Sequence, residues 1–177
     1  INVEGQPVPC IRFMGGREYE TICSLTNCSS DQIVNDDDIK QIIVDGVMAL
    51  PSFSNGNGPY GKNRSEILGI PKNGAALATI YCALMISCCL NKLNTQGDVI
   101  MDGSFLKNTI LCRLVAQLCG KKNLYISNDE AGTVKGAAQL TQWSQSPTLE
   151  LEKCEPYNVE GLDLYLSLWL KAIGEIK

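Results

Sequence analysis

Apolar residues recur at helical spacing in three stretches of the first half of the chain. Each stretch also carries a start signal, either the glycine pair Gly15 and Gly16 or an asparagine suited to capping, such as Asn35. We therefore predict helices over residues 14–25, 35–50 and about 73–93. The third is predicted to be a central element because its apolar face is broad, comprising Leu77, Ile80, Tyr81, Leu84, Met85 and Cys88.

The second half of the chain alternates short apolar runs with further helical patterns. The run VIM at 99–101 is typical of a strand buried on both faces, and NLYIS at 123–127 predicts another strand. Further helices are predicted over about 104–119, 131–143 and 159–176. Strand, helix, strand, helix is the order of an α/β protein.

Two segments lack helical spacing. QPVPCIRF, residues 6–13, has the alternation and β-branched residues of a short strand, and its prolines favour the edge of a sheet. Residues 51–71 are dense in Gly, Pro, Asn and Ser and predict a long loop. Such loops are often functional, although a surface connection is the simpler interpretation.

Composition excludes several classes of function. With 177 residues, of which 45% are hydrophobic, the chain is long enough for one domain with a good core. A net charge of −4 argues against nucleic acid or an anionic membrane as the main partner. The apolar stretch 74–90 is short and rich in small residues for a membrane span, and no signal peptide opens the chain. We expect a cytoplasmic protein, and Ile1 in place of Met predicts a fragment of a longer one.

The absence of histidine is the sharpest chemical constraint. It removes Ser-His-Asp triads, Cys-His pairs, histidine bases and most catalytic zinc sites. The nine cysteines form no Cys-x-x-Cys pair, and we interpret them as reduced core residues. Asp36, Asp37 and Asp38 raise the question of a metal site, but successive helical positions diverge and the helix N-terminus explains the acids. We therefore predict no metal ligands and no catalytic residue in this chain.

The segment VIMDGSFLKNTIL, residues 99–111, joins a predicted strand to a predicted helix through a glycine-containing turn. In open α/β sheets ligands bind beyond the carboxyl ends of the strands, where this turn lies. Gly103 lacks a Cβ and would let a flat ligand approach the backbone, and the N–H groups of a helix start can face a polar group. Asn108, one turn into the predicted helix, offers a donor and an acceptor to a purine or ribose. From the residues alone, the turn either holds a nucleotide or only redirects the chain, and the second use is commoner.

Several motifs occur together in the order seen in a known family. They are Asp102-Gly103-Ser104, Asn108, Leu118-Cys119-Gly120, the 123–127 strand and Gly136-Ala137-Ala138. In this order they resemble the C-terminal domain of the FGGY carbohydrate kinases, which include xylulokinases, glycerol kinases and fuculokinases. Segments 49–70, 73–90 and 164–173 are similar to the family's Leu-Pro loop, the helix after it and its closing helix. The resemblance implies an actin-like ATPase (ribonuclease H-like) α/β fold, with a mixed sheet flanked by helices.

The resemblance also implies which residues bind the nucleotide. RFMGGREYE is similar to a segment that follows the family's second phosphate-binding motif, and Glu20 falls near a position that touches adenine in some members. Ser104 stands where the family usually has a second glycine, so its side chain would narrow the approach, cap the helix or bond to the ligand. The residues implied to hold adenosine are Gly15, Gly16, Gly103, Ser104 and Asn108.

For the full-length protein, the resemblance implies transfer of the γ-phosphate of ATP to a ketose or polyol, with Mg²⁺. The family's Asp-x-Gly-Thr phosphate loop and its catalytic aspartate belong to an N-terminal domain, and no aspartate here sits in a matching motif. We therefore expect residues 1–177 to be the single nucleotide-binding C-terminal domain, silent on its own. The alternatives are a non-enzymatic actin-like module that binds a nucleotide or a protein, and a plain α/β scaffold. The identity of the sugar and the formation of a homodimer stay open.

Overall fold

The computed structural model describes residues 1–2, 4–54, 56, 58–61, 65–94, 96–127, 132–142 and 150–176. The helices are α1 (Gly15–Leu25), α2 (Asp36–Asp45), α3 (Gly74–Leu93), α4 (Thr109–Leu118), α5 (Gly132–Gln139) and α6 (Leu162–Ala172). The strands are β1 (Met48–Leu50), β2 (Glu66–Leu68), β3 (Val99–Met101), β4 (Leu124–Ser127) and β5 (Leu151–Cys154). Short 3₁₀ turns cover Ser104–Lys107 and Leu140–Gln142. The predicted helix at 131–143 is thus observed as α5, while its two end residues lie outside the described part.

The strands form two small sheets. β1 pairs antiparallel with β2, and β4 lies between β3, its parallel neighbour, and β5, its antiparallel neighbour. The second sheet is therefore mixed, and helices flank it, so the predicted α/β class is confirmed. Since β3 ends at Met101, the turn that follows lies at the carboxyl end of a parallel strand.

Helix α3 is the core of the domain. It begins after Asn73, whose side chain accepts hydrogen bonds from the backbone N–H groups of Ala75 and Ala76. The predicted apolar face is buried along its whole length. By length and composition α3 could cross a membrane, but 78% of its most apolar window is buried inside the protein, as in a core helix. α1, α2, α4 and β1 all pack against it.

The second predicted helix ends earlier than expected. Asn35 and Asp38 form the capping box at its start, which accounts for the acidic first turn. Gly46 adopts a left-handed φ of +64° and ends the helix, so Val47 begins the path into β1 instead of extending the apolar stripe. The extension of the helix through residue 50 was therefore wrong.

Helix α6 is hydrogen-bonded to the backbone of β1 and of Val47, the residue before that strand. The Trp169 indole N–H donates a 2.7 Å hydrogen bond to the Ala49 carbonyl oxygen, and the Tyr165 hydroxyl donates to the Val47 carbonyl oxygen. Both aromatic side chains are buried. The apolar residues at helical spacing in segment 164–173 are therefore explained by burial against β1. The two hydrogen bonds add to that contact.

Three further expectations are corrected. Residues 6–13 form no strand among the described residues, since Pro7 and Pro9 lack N–H groups and Val8 is 54% exposed. The predicted loop 51–71 contains β2 at 66–68, and its first four residues are buried rather than on the surface. β3 is half-buried, with Ile100 52% exposed, because it lies at one end of the described sheet.

Candidate functional site

A cavity of about 510 Å³ opens where three segments meet. Its first wall is α1, its second is the segment 30–34, and its third is the segment 104–110 after β3. Three residues predicted to bind adenosine, Gly16, Ser104 and Asn108, line this cavity together. Gly15 and Gly103 lie beside it without lining it. Its volume is within the range that a small-molecule ligand occupies.

The two glycines that open α1 have different environments. A Cβ placed on Gly16 would meet no atom within 4 Å, so this position leaves open space at the cavity wall. A Cβ placed on Gly15 would stand 2.5 Å from the ring of Phe105. Gly15 therefore lets α1 approach the third wall closely, while Gly16 leaves room for a ligand. The two glycines were predicted to act alike, and only Gly16 faces the cavity.

Gly103 shapes the turn rather than touching the cavity. Its backbone has a φ of +94° and a ψ of −162°, a conformation that only glycine adopts readily. Its N–H donates a 2.7 Å hydrogen bond to Asp102 Oδ1, so this amide is engaged within the turn. Ser104 follows at the start of the 3₁₀ turn and is exposed on the cavity side. Its side chain makes no capping hydrogen bond to the turn, since Gly103 is the N-cap.

Asn108 caps α4, which corrects its predicted place one turn inside that helix. Its Oδ1 accepts a 2.9 Å hydrogen bond from the Leu111 backbone N–H, and its Nδ2 donates a 3.0 Å hydrogen bond to Thr79 Oγ1. Both ends of the amide are thus engaged within the protein. Asn108 therefore lines the cavity, and its polar groups are already used in the hydrogen bonds that hold the third wall in place.

Helix α3 holds all three walls of the cavity. Asn73, its N-cap, donates a 3.2 Å hydrogen bond to the Ile33 carbonyl oxygen of the second wall. Thr79, one and a half turns further on, bonds to Asn108 of the third wall. Tyr81 and Cys82 contact α1 through Glu18 and the Gly15 carbonyl oxygen, respectively. The cavity is therefore framed by the most buried helix of the domain.

The second wall, residues 30–34, was not foreseen. It carries no recognisable motif, and its place depends on the Asn73 contact, which spans 40 residues of sequence. At its start the Asp31 N–H donates to Ser29 Oγ at 3.2 Å, a local turn. Ile33 is 85% exposed although it is a large apolar residue, and it lines the cavity. An exposed apolar side chain at the wall of a cavity can pack against an apolar face of a ligand.

Glu18 is a buried carboxylate that sequence reasoning also missed. It is fully buried in α1 and accepts hydrogen bonds from the Ser54 hydroxyl at 2.7 Å, the Phe53 N–H at 3.1 Å and the Tyr81 hydroxyl. Burial raises the pKa of Tyr81, and the Glu18 carboxylate raises it further, so this phenol stays protonated. The network fixes α1 against α3 and the start of the 51–61 segment. The helical position of Glu18, between Ile22 and Gly15, was the available signal that it points inward.

Charges around the cavity are unevenly placed. The first two walls carry the carboxylates of Glu20 and Asp31, whereas Lys107 lies on the third. Tyr19 is a half-buried residue of α1, and burial raises the pKa of its phenol to about 12. Among the residues that the structure describes, no group of three or more acidic or cysteine side chains is arranged to hold a metal ion. The cavity therefore offers polar and apolar contacts, with no metal ligands of its own.

Comparison with known proteins decides the family. The sequence profile of "Carbohydrate kinase FGGY, C-terminal domain" matches residues 1–149. The chain belongs to this family. A search of curated proteins found no match.

Among solved structures, the FGGY domain is similar to a carbohydrate kinase from Novosphingobium aromaticivorans. The TM-score is 0.81 at 27% sequence identity, over 99% of this chain. The same alignment covers 39% of the Novosphingobium chain, so the FGGY domain spans well under half the length of that protein. The resemblance of the sequence to FGGY kinases and the actin-like α/β fold are thereby confirmed.

Proposed function

We propose that the full-length protein transfers the γ-phosphate of ATP to a ketose or polyol, and that this domain binds the adenosine of ATP. Membership of the carbohydrate kinase family supports the reaction class. The cavity supports the role of the domain, because it brings Gly16, Ser104 and Asn108 to one place beyond the carboxyl end of β3. That convergence, from segments about 90 residues apart in sequence, carries the proposal.

Charge decides which end of the nucleotide enters the cavity. The carboxylates of Glu20 and Asp31 outnumber the cation of Lys107 among the lining residues, so the cavity would repel a triphosphate at close range. The same carboxylates accept hydrogen bonds from the amino group of a base. Ile33 and Tyr19 offer apolar surface to the flat faces of a base. The nucleoside therefore occupies the cavity, and the phosphates extend out of it.

The domain contributes binding rather than bond making. Phosphoryl transfer relies on positioning and on stabilisation of charge by Mg²⁺ and a base that activates the hydroxyl. Mg²⁺ in such reactions is bound largely through the phosphates of the nucleotide, so it would lie with them rather than on side chains of the cavity. This chain's own part is to hold the adenosine so that the phosphate chain points toward the rest of the protein.

The test is calorimetric titration of the intact protein with adenosine, ADP and inorganic triphosphate. Adenosine and ADP should bind, and Gly16→Leu should weaken both by about tenfold or more because it fills the open space at that wall. Gly136→Leu is the matched control, since it is another helical glycine with no atom within 4 Å of its Cβ and does not line the cavity. Equal loss in both variants, or binding of triphosphate alone, would refute the assignment of the cavity.

The reaction itself is tested separately with Mg²⁺-ATP and a panel of ketoses and polyols. Formation of a sugar phosphate supports the kinase. Nucleotide binding without transfer to any member of the panel favours the non-enzymatic actin-like module.

A further inference from the structure

Thr79 is a fully buried hydroxyl in the middle of α3. Its Oγ1 donates a 2.8 Å hydrogen bond to the Ala75 carbonyl oxygen, one turn earlier in the helix. The same oxygen accepts the 3.0 Å hydrogen bond from Asn108 Nδ2. The first contact is common for threonine in helices, but the second joins two separate elements of the structure.

The hydroxyl ties the third wall of the cavity to α3. Its partner Asn108 is the cap of α4 and a residue of the third wall. The helix that carries Thr79 also holds the α1 wall, through the hydrogen bond from the Tyr81 hydroxyl to Glu18. Thr79 itself does not line the cavity. One buried hydroxyl therefore links the third wall to the helix that holds the first.

We propose that Thr79 is a positioning residue, which fixes the third wall against α3, the helix that holds α1, and thereby sets the affinity of the cavity for a nucleoside. This inference rests on the proposed function. Valine has nearly the shape of threonine and would fill the same space in the apolar core, so the hydroxyl contributes through its hydrogen bonds rather than its bulk. Without it, Asn108 Nδ2 loses its acceptor, and the amide is free to turn away from the Leu111 N–H. The start of α4, and with it the third wall, then loses its fixed place.

The test uses the intact protein with Mg²⁺-ADP as the probe, and measures both the dissociation constant and the midpoint of thermal unfolding without ligand. Thr79→Val should raise the dissociation constant about three- to tenfold, the factor that corresponds to one neutral hydrogen bond. Thr79→Ser, which keeps the hydroxyl, should restore the affinity. Ser87→Ala is the matched control, because it removes another buried hydroxyl from the same helix, away from the cavity. Thr79→Ala is a second hydroxyl-free variant in case the valine protein does not fold.

A purely structural role predicts a different pattern. It would lower the unfolding midpoint of Thr79→Val and leave its dissociation constant for ADP unchanged, which would overturn the proposal. Equal weakness in the serine and valine variants would also overturn it. If the wild-type protein does not bind ADP, the proposed function fails and this inference fails with it. If the wild-type protein binds ADP and Thr79→Val binds it equally well, this inference fails and the proposed function stands.

Discussion

The Leu111 backbone N–H donates a 2.9 Å hydrogen bond to Asn108 Oδ1, so a residue implied to hold adenosine is also the cap of a helix. Asn108→Ala should therefore lower the free energy of unfolding by about 1–2 kcal/mol through loss of the cap. It should also weaken nucleotide binding more than sugar binding in the full-length protein, since the third wall shifts. Urea unfolding and calorimetric titration measure the two effects.

Asn108→Asp separates these two roles. An aspartate keeps the acceptor that caps α4 but loses the Nδ2 donor to Thr79, so stability should recover only part of the loss. Its carboxylate replaces the amide at the cavity wall, so nucleotide affinity should remain reduced. Equal losses of nucleotide and sugar affinity in Asn108→Ala would count against a role in the nucleotide site.

Gly15 is predicted to be intolerant of any side chain. In Gly15→Ala the new methyl group would stand 2.5 Å from the Phe105 ring, and relief of that contact requires the Phe105 ring or α1 to move. We expect a loss of about 1–3 kcal/mol of stability, the usual cost of overpacking. Chemical denaturation measures it, and Gly16→Ala, which meets open space, should lose none.

Ile33 is predicted to contact the base of the nucleotide. In Ile33→Ser the dissociation constant for adenosine should rise about fivefold or more, because apolar surface that the ligand would cover is lost. Unfolding should be unaffected, since the side chain is 85% exposed in the free protein. Ile70→Ser is the control, because Ile70 is 90% exposed and lies away from the cavity. A similar change in both variants would show that Ile33 has no special role.

Glu18 is predicted to be needed as a carboxylate. In Glu18→Gln the NH₂ group takes the place of either Oε1, which accepts from the Ser54 hydroxyl, or Oε2, which accepts from the Phe53 N–H and the Tyr81 hydroxyl. We expect a loss of about 1–2 kcal/mol, since hydrogen bonds to a charged acceptor are replaced by weaker neutral ones. The exposed Glu20→Gln serves as the control and should leave the unfolding curve unchanged.

Stability is predicted to fall in alkali because of buried thiols. Burial raises the pKa of Cys89 and of Cys112 from the ordinary value of 9.0 to about 11. Between these values the unfolded chain has lost its thiol protons while the folded protein still holds them, so stability present below pH 9 is lost as the pH rises toward 11. Urea unfolding at pH 8 to 11 should show this decline, and it should be shallower in a Cys89→Ala, Cys112→Ala double variant. A flat profile over that interval would contradict the prediction.

The helices were largely predictable because their signals are local. Asn35 and Asn73 cap the helices that follow them, as their positions implied. β1 and β2 were missed because each strand has only three residues. In addition, β1 lies in a segment whose local pattern favours a helix, and β2 lies in one whose pattern favours a loop. β5 was missed for a similar reason: it is a four-residue, largely exposed strand that is stabilised by its partner β4.

The residues that line the candidate cavity were partly predictable from the sequence, and their contacts were less so. The third wall could be placed because a strand end, Gly103 and Asn108 follow each other in sequence. The second wall could not, since a contact between Asn73 and Ile33 across 40 residues leaves no local pattern. The engagement of Asn108 with Thr79 was equally hidden, because it depends on how α3 and α4 pack.

The attachment of all three walls to one helix also bears on how this site can diversify. A substitution at an exposed residue of a wall, such as Ile33 or Ser104, alters the surface offered to a ligand and leaves the contacts between the walls and α3 intact. A substitution in α3 at a residue that holds a wall, such as Thr79 or Tyr81, disturbs the frame itself. Laboratory evolution of a new base preference should therefore collect its gains in residues 30–34 and 104–110, and should leave the interior of α3 almost unchanged.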